Sequence, residues 1–330
     1  MTVATEQDQV VAELRQAQKL LLTTHENPDG DALGSLLAMQ LILEQLGKDS
    51  FMYISPDEFP LPWEYRNWTF DRLLGAPPDD LDERTIVFLD CGNIDRMPVD
   101  FLQREGLHIL NIDHHHDNTR FGTVNLVVPD ASCTAEIVWH LSKELGVDLT
   151  PEIAEPLYTG LVTDTGRFMY ENTGVEAHRM AVDLITAGVE PRSVSRRLYE
   201  DLPFSRLELL QRALATVERH DHGALTVAHL VKKDYEETGA LETDSEGVID
   251  HLRAVQGTQV AALVRELLGE DRGGLRKVSL RATSRDMDVS RNARAYGGGG
   301  HTQAAGFTTD IPYPELVEGL RKQVHEQLAG

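Results

Sequence analysis

Three times in its first 116 residues the chain runs through a short, almost wholly apolar stretch and stops on an acid or a histidine. The stretches are LLLTT before HENPDGD (residues 20–31), TIVFLD (85–90) and HILNIDHHH (108–116). Apolar runs this short, without polar alternation, suit strands buried on both faces, and such strands belong to parallel sheets covered by helices. Between them, residues 32–46 carry apolar side chains at helical period until Gly47 stops them, and 51–54 reads as a further strand. Residues 132–145 read as a helix that Ser132 or Thr134 caps, and 6–18 as an amphipathic helix. The alternation predicts an α/β domain with a parallel sheet, helices on both faces and a ligand site at the carboxyl ends of the strands.

From about 176 to 220 the spacing stays helical, and Pro191 and Pro203 cut it into pieces. Beyond it, 224–230, 259–263 and 276–282 read as strands, a glycine cluster stands at 297–300, and a last helix begins near 314. We therefore expect a catalytic domain over 1–190, a helical linker over 191–215 and a smaller mixed-sheet domain over 216–330. A chain of 330 residues suits two domains at roughly 150 residues each. With 41% hydrophobic and 26% charged residues the composition is globular. No apolar run approaches the roughly 20 residues that cross a bilayer, and the N-terminus lacks a signal peptide's basic start and apolar stretch. That predicts a cytoplasmic protein with no membrane partner. Cys91 and Cys133 make neither a disulfide framework nor a sulfur zinc site, so both are expected as reduced thiols. The net charge of −23 repels a long nucleic-acid backbone and argues against duplex binding. A short anionic substrate is compatible with it where positive charge is concentrated locally.

The chemistry gathers at the strand ends. Taken singly, Asp29, Asp31, Asp90 or Asp113 reads as a turn former or helix cap. In a parallel sheet, however, these ends converge, bringing His25, Asp29, Asp31, Asp90, Asp113, His114 and His115 together, with Asp164 from the segment TGLVTDTGRF. So many acids repel one another unless divalent cations neutralise them. Imidazole with carboxylates and no thiolate suits a hard, octahedral ion, so two Mn2+ are the first choice, with Mg2+, Co2+ or Zn2+ as substitutes. An EF-hand loop and HExxH are both absent. A second cluster lies at RNARAYGGGGHTQAAGF (291–307), where Gly298, Gly299 and Gly300, His301 and a helix expected near Thr302 suggest an anion cradle. Between 276 and 296 stand Arg276, Lys277, Arg281, Arg285, Arg291 and Arg294, against only Asp286 and Asp288. No Lys-Ser or Lys-Thr follows the glycines, so this is not a nucleotide P-loop.

In order and spacing, these motifs resemble the DHH phosphoesterase superfamily with its DHH-associated C-terminal domain, most of all the oligoribonuclease/pAp-phosphatase branch. The likeness spans about residues 20 to 310. It implies metal-dependent hydrolysis of short oligonucleotides to mononucleotides and of 3′-phosphoadenosine 5′-phosphate (pAp) to AMP. Cyclic dinucleotides or their linear products are the alternative substrates, and a nucleotide sensor without turnover is the reading from outside enzymology. The resemblance implies one ion on His25, Asp29 and Asp90 and a second on Asp31, Asp90, His114 and Asp164, with Asp90 bridging. It gives His115 the scissile phosphate or the leaving oxygen, and Asp113 the task of orienting a metal-bound imidazole. Arg281, Gly298–Gly300 and His301 would hold the substrate's terminal phosphate. A homodimer is compatible with the likeness, and His116 reads as a solvated loop residue.

Overall fold

The computed structural model describes residues 5–66, 68–97, 99–200, 202–269, 272–284, 286–300 and 302–329. The chain divides into two compact units, 1–200 and 201–330. His301 and Arg285 lie outside the described residues.

The first unit opens on α1 (Glu6–Gln16), where the Thr5 hydroxyl accepts from Asp8 N–H and the Asp8 carboxylate accepts from Thr5 N–H. There follow β1 (Lys19–Thr23), α2 (Gly30–Gln45), β2 (Asp49–Tyr53), β3 (Leu73–Leu74), β4 (Thr85–Leu89), β5 (Ile109–Asp113) and β6 (Val124–Val127). Four helices complete it: α3 (Thr134–Leu145), α4 (Pro151–Asp164), α5 (Val175–Thr186) and α6 (Pro191–Tyr199). The six strands form a parallel sheet in the order β3-β2-β1-β4-β5-β6. The chain leaves β1 toward one edge and builds the other edge from β4. Between β1 and β4 the connections therefore part, which opens a crevice at their carboxyl ends.

Alternate side chains of the buried strands enter two cores. Leu20, Leu22, Val87, Leu89, Leu110 and Ile112 join α1 to α6 on one face. Leu21, Ile86, Phe88 and Ile109 meet Leu81, Met97 and Leu102 on the other. The two faces are covered differently. All six α-helices lie on the first, and the second is closed by loops and the 3-10 turns Leu81–Glu83 and Ile94–Arg96. Pro56, Pro60, Pro62, Pro77 and Pro78 explain part of this, because the connection between β2 and β4 cannot run as a helix through so many prolines.

Two glycines set how closely α2 and α4 approach. A Cβ on Gly34 would stand 2.4 Å from the Pro156 carbonyl oxygen, and one on Gly160 would stand 2.8 Å from Asp31 Oδ1. Their absence brings the start of α2, with Asp31, against the turns of α4 that lead to Asp164.

The second unit comprises α7 (Phe204–Ala215), β7 (Glu218–His220), β8 (Leu225–Leu230), α8 (Lys232–Thr238), α9 (Val248–Arg253), β9 (Val260–Glu266), β10 (Arg276–Ala282), α10 (Val289–Arg294), β11 (Gly299–Gly300), β12 (Ala304–Thr309) and α11 (Tyr313–Ala329). Its sheet runs β11-β12-β10-β9-β8-β7, with β8 and β9 parallel and the other pairs antiparallel. Helices α10 and α11 pack on one face, and α7, α8 and α9 on the other. In the stretch 191–215, α6 buries Val194 and Leu198 in the first unit's core, and α7 buries Leu209 and Ala213 in a core of the second.

The helix expected near Thr302 is absent: the residues from Ala304 form β12, paired to β10 from Arg281↔Ala304 to Arg276↔Thr309. Tertiary pairing overrides the helical preference of the two alanines. A Cβ on Gly298 would stand 2.2 Å from the Gly306 carbonyl oxygen, and one on Gly300 would stand 2.6 Å from that of Ala304. These glycines thus let the chain fold tightly against β12. No helix among the described residues is long and apolar enough to cross a membrane.

Gly34→Ala is expected to cost roughly 1–3 kcal/mol by overpacking and to weaken divalent-cation binding, because it pushes α2 from α4. Thermal melts with and without Mn2+ check this; an unchanged melting temperature would contradict the packing argument.

Candidate metal centre

Each site residue in the first unit stands where the chain leaves a regular element. His25, Asp29 and Asp31 follow β1, Asp90 follows β4, Asp113 ends β5 with His114 and His115 after it, and Asp164 ends α4. The structure brings them together as overlapping groups: His25 with Asp29 and Asp90, Asp31 with His114 and Asp164, and Asp90 with His114 and His115. In each group the ligand atoms lie within 4.8 Å of one another.

Asp90 is the shared member. Its Oδ2 lies 3.6 Å from His25 Nε2, and its Oδ1 lies 3.6 Å from His114 Nε2. His114 Nε2 is also 3.8 Å from Asp164 Oδ2 and 4.0 Å from Asp31 Oδ2. These gaps are too long for hydrogen bonds. They are close to the spacing of two donors that each stand about 2.1 Å from one ion. Asp90 reaches this position from a left-handed backbone, φ 58°, which a non-glycine residue adopts only when its surroundings impose it. Thr134 Oγ1 donates to Asp90 Oδ1 at 2.9 Å and fixes the carboxylate.

Asp31 explains how α3 begins. Cys133 occupies the cap position and makes no side-chain cap bond, so neither Ser132 nor Thr134 caps the helix as the sequence suggested. The free amides of Thr134 and Ala135 instead donate to the two oxygens of Asp31, at 2.7 and 2.9 Å. The positive end of α3 thus faces a buried carboxylate carried by α2. Asp29 caps α2, accepting from the amides of Asp31 and Ala32. His25 Nδ1 lies 2.6 Å from the Glu26 carbonyl oxygen, which orients the ring so that Nε2 faces Asp90.

Asp113 orients His115, whose Nδ1 lies 2.7 Å from Asp113 Oδ1; the sequence left open which imidazole it serves. Asn118 Nδ2 donates to the other oxygen of Asp113 at 2.6 Å. His116 is exposed. Sequence reasoning missed Thr134, Asn118, Arg96 (Nη2 3.0 Å from His25 Nδ1) and Asn172 (Nδ2 3.2 Å from Asp164 Oδ2). Asn118 follows the histidines closely enough to have been suspected. Thr134 and Arg96 act across the fold and leave no local pattern, and Asn172 stands eight residues beyond Asp164.

In the second unit, Arg281 on β10 stands opposite Ala304, and Gly300 on β11 stands opposite Ala305, so these residues share one sheet. The Gly298 amide is not free for an anion, because it donates to the Ala293 carbonyl at 3.0 Å. Gly299 is exposed.

Residues 19–161 match the DHH family, N-terminal domain, and residues 225–330 match the DHHA1 domain. The chain is 35% identical to the bifunctional oligoribonuclease and PAP phosphatase NrnA of Thermus thermophilus, over 97% of this chain and 95% of that protein. It resembles the solved structure of an exopolyphosphatase-related protein from Bacteroides fragilis, at 24% identity and a TM-score of 0.84, over 99% of this chain and 98% of that one. The Mn2+ complex of RecJ from Thermus thermophilus is 13% identical and has a TM-score of 0.58, over 98% of this chain and 55% of RecJ. These two structural likenesses show the fold.

Without cations the cluster is electrostatically unfavourable. Burial pushes Asp31 well above the usual carboxylate range, and the charges of Asp90 and Asp164 add to it. Burial also lifts Asp164 to about 7, His114 opposing and Asp29 and Asp90 assisting. For His114, burial pulls down but Asp164, Asp90 and Asp31 outweigh it and raise the imidazole to about 9. Burial opposes the charge on Asp90, yet the surrounding imidazoles hold it well below its ordinary range. The folded state therefore holds protons on Asp164 above the unfolded value of 3.8, and on His114 above 6.5. Both contributions to stability are lost as pH rises, Asp164's from about 4 to 7 and His114's from about 6.5 to 9. Asp90 acts in the opposite sense, but only at lower pH. Chelator-treated protein is expected to melt at falling temperature from about pH 5 to 9, while Mn2+ stabilises more as pH rises because it needs deprotonated ligands. Asp164→Asn should flatten the trend below about pH 7. A melting temperature that climbs across this range, unaffected by Asp164→Asn, would refute the assignment.

Proposed function

The chain belongs to the DHH family, and on that footing we propose that it hydrolyses short oligonucleotides to mononucleotides and pAp to AMP with two divalent cations, Mn2+ first among them. It is a phosphoesterase. The observation that carries the reading is the Asp90 carboxylate, whose two oxygens face two different histidines at equal distance. That is the arrangement of a bridging ligand.

The donor set fits two hard cations: carboxylates and imidazoles surround both positions, and the nearby Cys91 and Cys133 are buried thiols whose pKa burial pushes up. His25, Asp29 and Asp90 would hold one ion, and Asp31, Asp90, His114 and Asp164 the other. When bound, the pair supplies charge neutralisation at phosphorus and a water acidified toward neutral pH. The chain's own residues do the rest. Asp113 fixes the His115 tautomer by taking the Nδ1 proton's hydrogen bond, so Nε2 is the nitrogen left to the substrate. In the imidazolium form, which burial opposes but Asp113 and Asp90 favour, the Nε2–H protonates the leaving oxygen or donates to a phosphate oxygen. Asn118 keeps Asp113 from rotating. Arg281, Gly299 and Gly300 are proposed to bind the substrate's anionic end, with His301 beside them in sequence. Buried, reduced thiols suit a reducing compartment, and we place the protein in the cytoplasm.

Purified protein with Mn2+ should consume pApA and pAp. Survival of both would end the reading, and loss of cyclic di-AMP alone would hand it to the cyclic alternative. Asp90→Ala is expected to abolish metal-dependent hydrolysis and to lower the bound Mn2+ count. His115→Ala should reduce kcat on the order of 10²–10⁴-fold with Mn2+ binding retained. Chromatography of the products and metal analysis read both outcomes, and substantial turnover by Asp90→Ala would contradict the bridging role.

A further inference from the structure

Among the described residues of the second unit, part of one face of the sheet has no apolar cover. Residues paired across antiparallel strands share a face, so Arg265, Leu263 and Ala261 of β9 lie with Lys277, Ser279 and Arg281 of β10, and these lie with Thr308, Gly306 and Ala304 of β12. Helices α7, α8 and α9 cover this face over Ala261 and Leu263, where it is apolar. From β10 onward the same face carries Lys277, Ser279 and Arg281, then small residues, all half-buried or exposed. The opposite side chains, Val278, Leu280, Ala305 and Phe307, are buried in the other core.

The uncovered part is positively charged in a chain of net charge −23. Arg265, Lys277 and Arg281 all act on Glu246, and although burial opposes it they draw that carboxylate down to about 2. Three cations thus gather around one acid. Arg265 is only 5% exposed, donates to Ser245 Oγ, Glu246 Oε1 and Ser279 Oγ, and has no hydrogen-bond partner for Nε among the described residues. Beside this buried guanidinium, the half-buried Lys277 and Arg281 and the small side chains of Ala304 and Gly306 leave the face shallow enough for a flat or extended anion.

Lys277 and Arg281 are four residues apart on one strand, about 13 Å at roughly 3.3 Å per residue, so the charges are spread along a line that a single phosphate cannot span. We propose that this strip, Lys277, Ser279 and Arg281 of β10 with Ala304, Gly306 and Thr308 of β12, binds the backbone of a single-stranded oligonucleotide. It favours chains of several nucleotides over pAp, which engages only the Arg281 end. The proposal rests on the hydrolytic reading above and adds the residues that recognise substrate length.

The test uses Lys277→Glu and, as an independent variant at an exposed position, Thr308→Glu. Each is assayed on pAp and on a pentanucleotide, and its affinity for a labelled pentanucleotide is measured in chelator as salt is varied. Both variants are expected to lower kcat/KM on the pentanucleotide about tenfold while leaving pAp hydrolysis and the melting temperature unchanged. Lys277→Glu should also flatten the slope of log affinity against log salt by about 0.7 per lost phosphate contact. Equal losses on pAp and pentanucleotide, or no loss on either, would overturn the strip. Because binding is read without turnover, wild-type protein that binds the pentanucleotide but cleaves neither substrate would refute the hydrolytic reading alone.

Discussion

Carboxylates crowd together in the first unit: Asp31, Asp90 and Asp113 are buried outright and Asp164 largely so. Desolvation and mutual repulsion would drive such groups apart or force protons onto them, so the surrounding structure has to hold them by other means. Each has its own hydrogen-bond donors: Asp31 the first amides of α3, Asp90 the Thr134 hydroxyl on that same helix, Asp113 His115 and Asn118, Asp164 Asn172. The same bonds tie α2 and β4 to α3 and fix the loop after β5. Local charge compensation and tertiary structure are therefore one set of contacts, and the energetic deficit that remains is one that bound divalent cations would offset.

The sheet order determines why these residues meet. Parting connections between β1 and β4 leave room at the crevice for the loop after β1 and for Asp90. The glycine contacts between α2 and α4 then bring in Asp164, at the end of a helix that Gly166 closes: its left-handed backbone (φ 54°) lets the Gly166 and Arg167 amides donate back to the Thr163 and Val162 carbonyls. A bulkier residue at either glycine would separate Asp31 from Asp164, which stand in one cluster with His114.

Much of this was legible in the sequence. The strands after which His25, Asp90 and His114 appear were visible as apolar runs, and a parallel sheet sends such ends to one place. Three things were not. The start of α3 was misjudged because its cap is a side chain some hundred residues earlier, beyond the reach of any local rule. The glycine cluster was taken for a loop leading into a helix, whereas strand pairing claims Ala304 to Thr309. Which imidazole Asp113 orients was open, since periodicity says nothing about which of two adjacent rings turns toward it.

Both thiols of the chain, Cys91 and Cys133, are fully shielded, and both belong to the first unit. Their reactivity is consequently gated by breathing of that half alone, while the other half contributes no sulfhydryl signal at all. A maleimide added to the native protein would thus clock how often the catalytic half opens, without any label having to be engineered in.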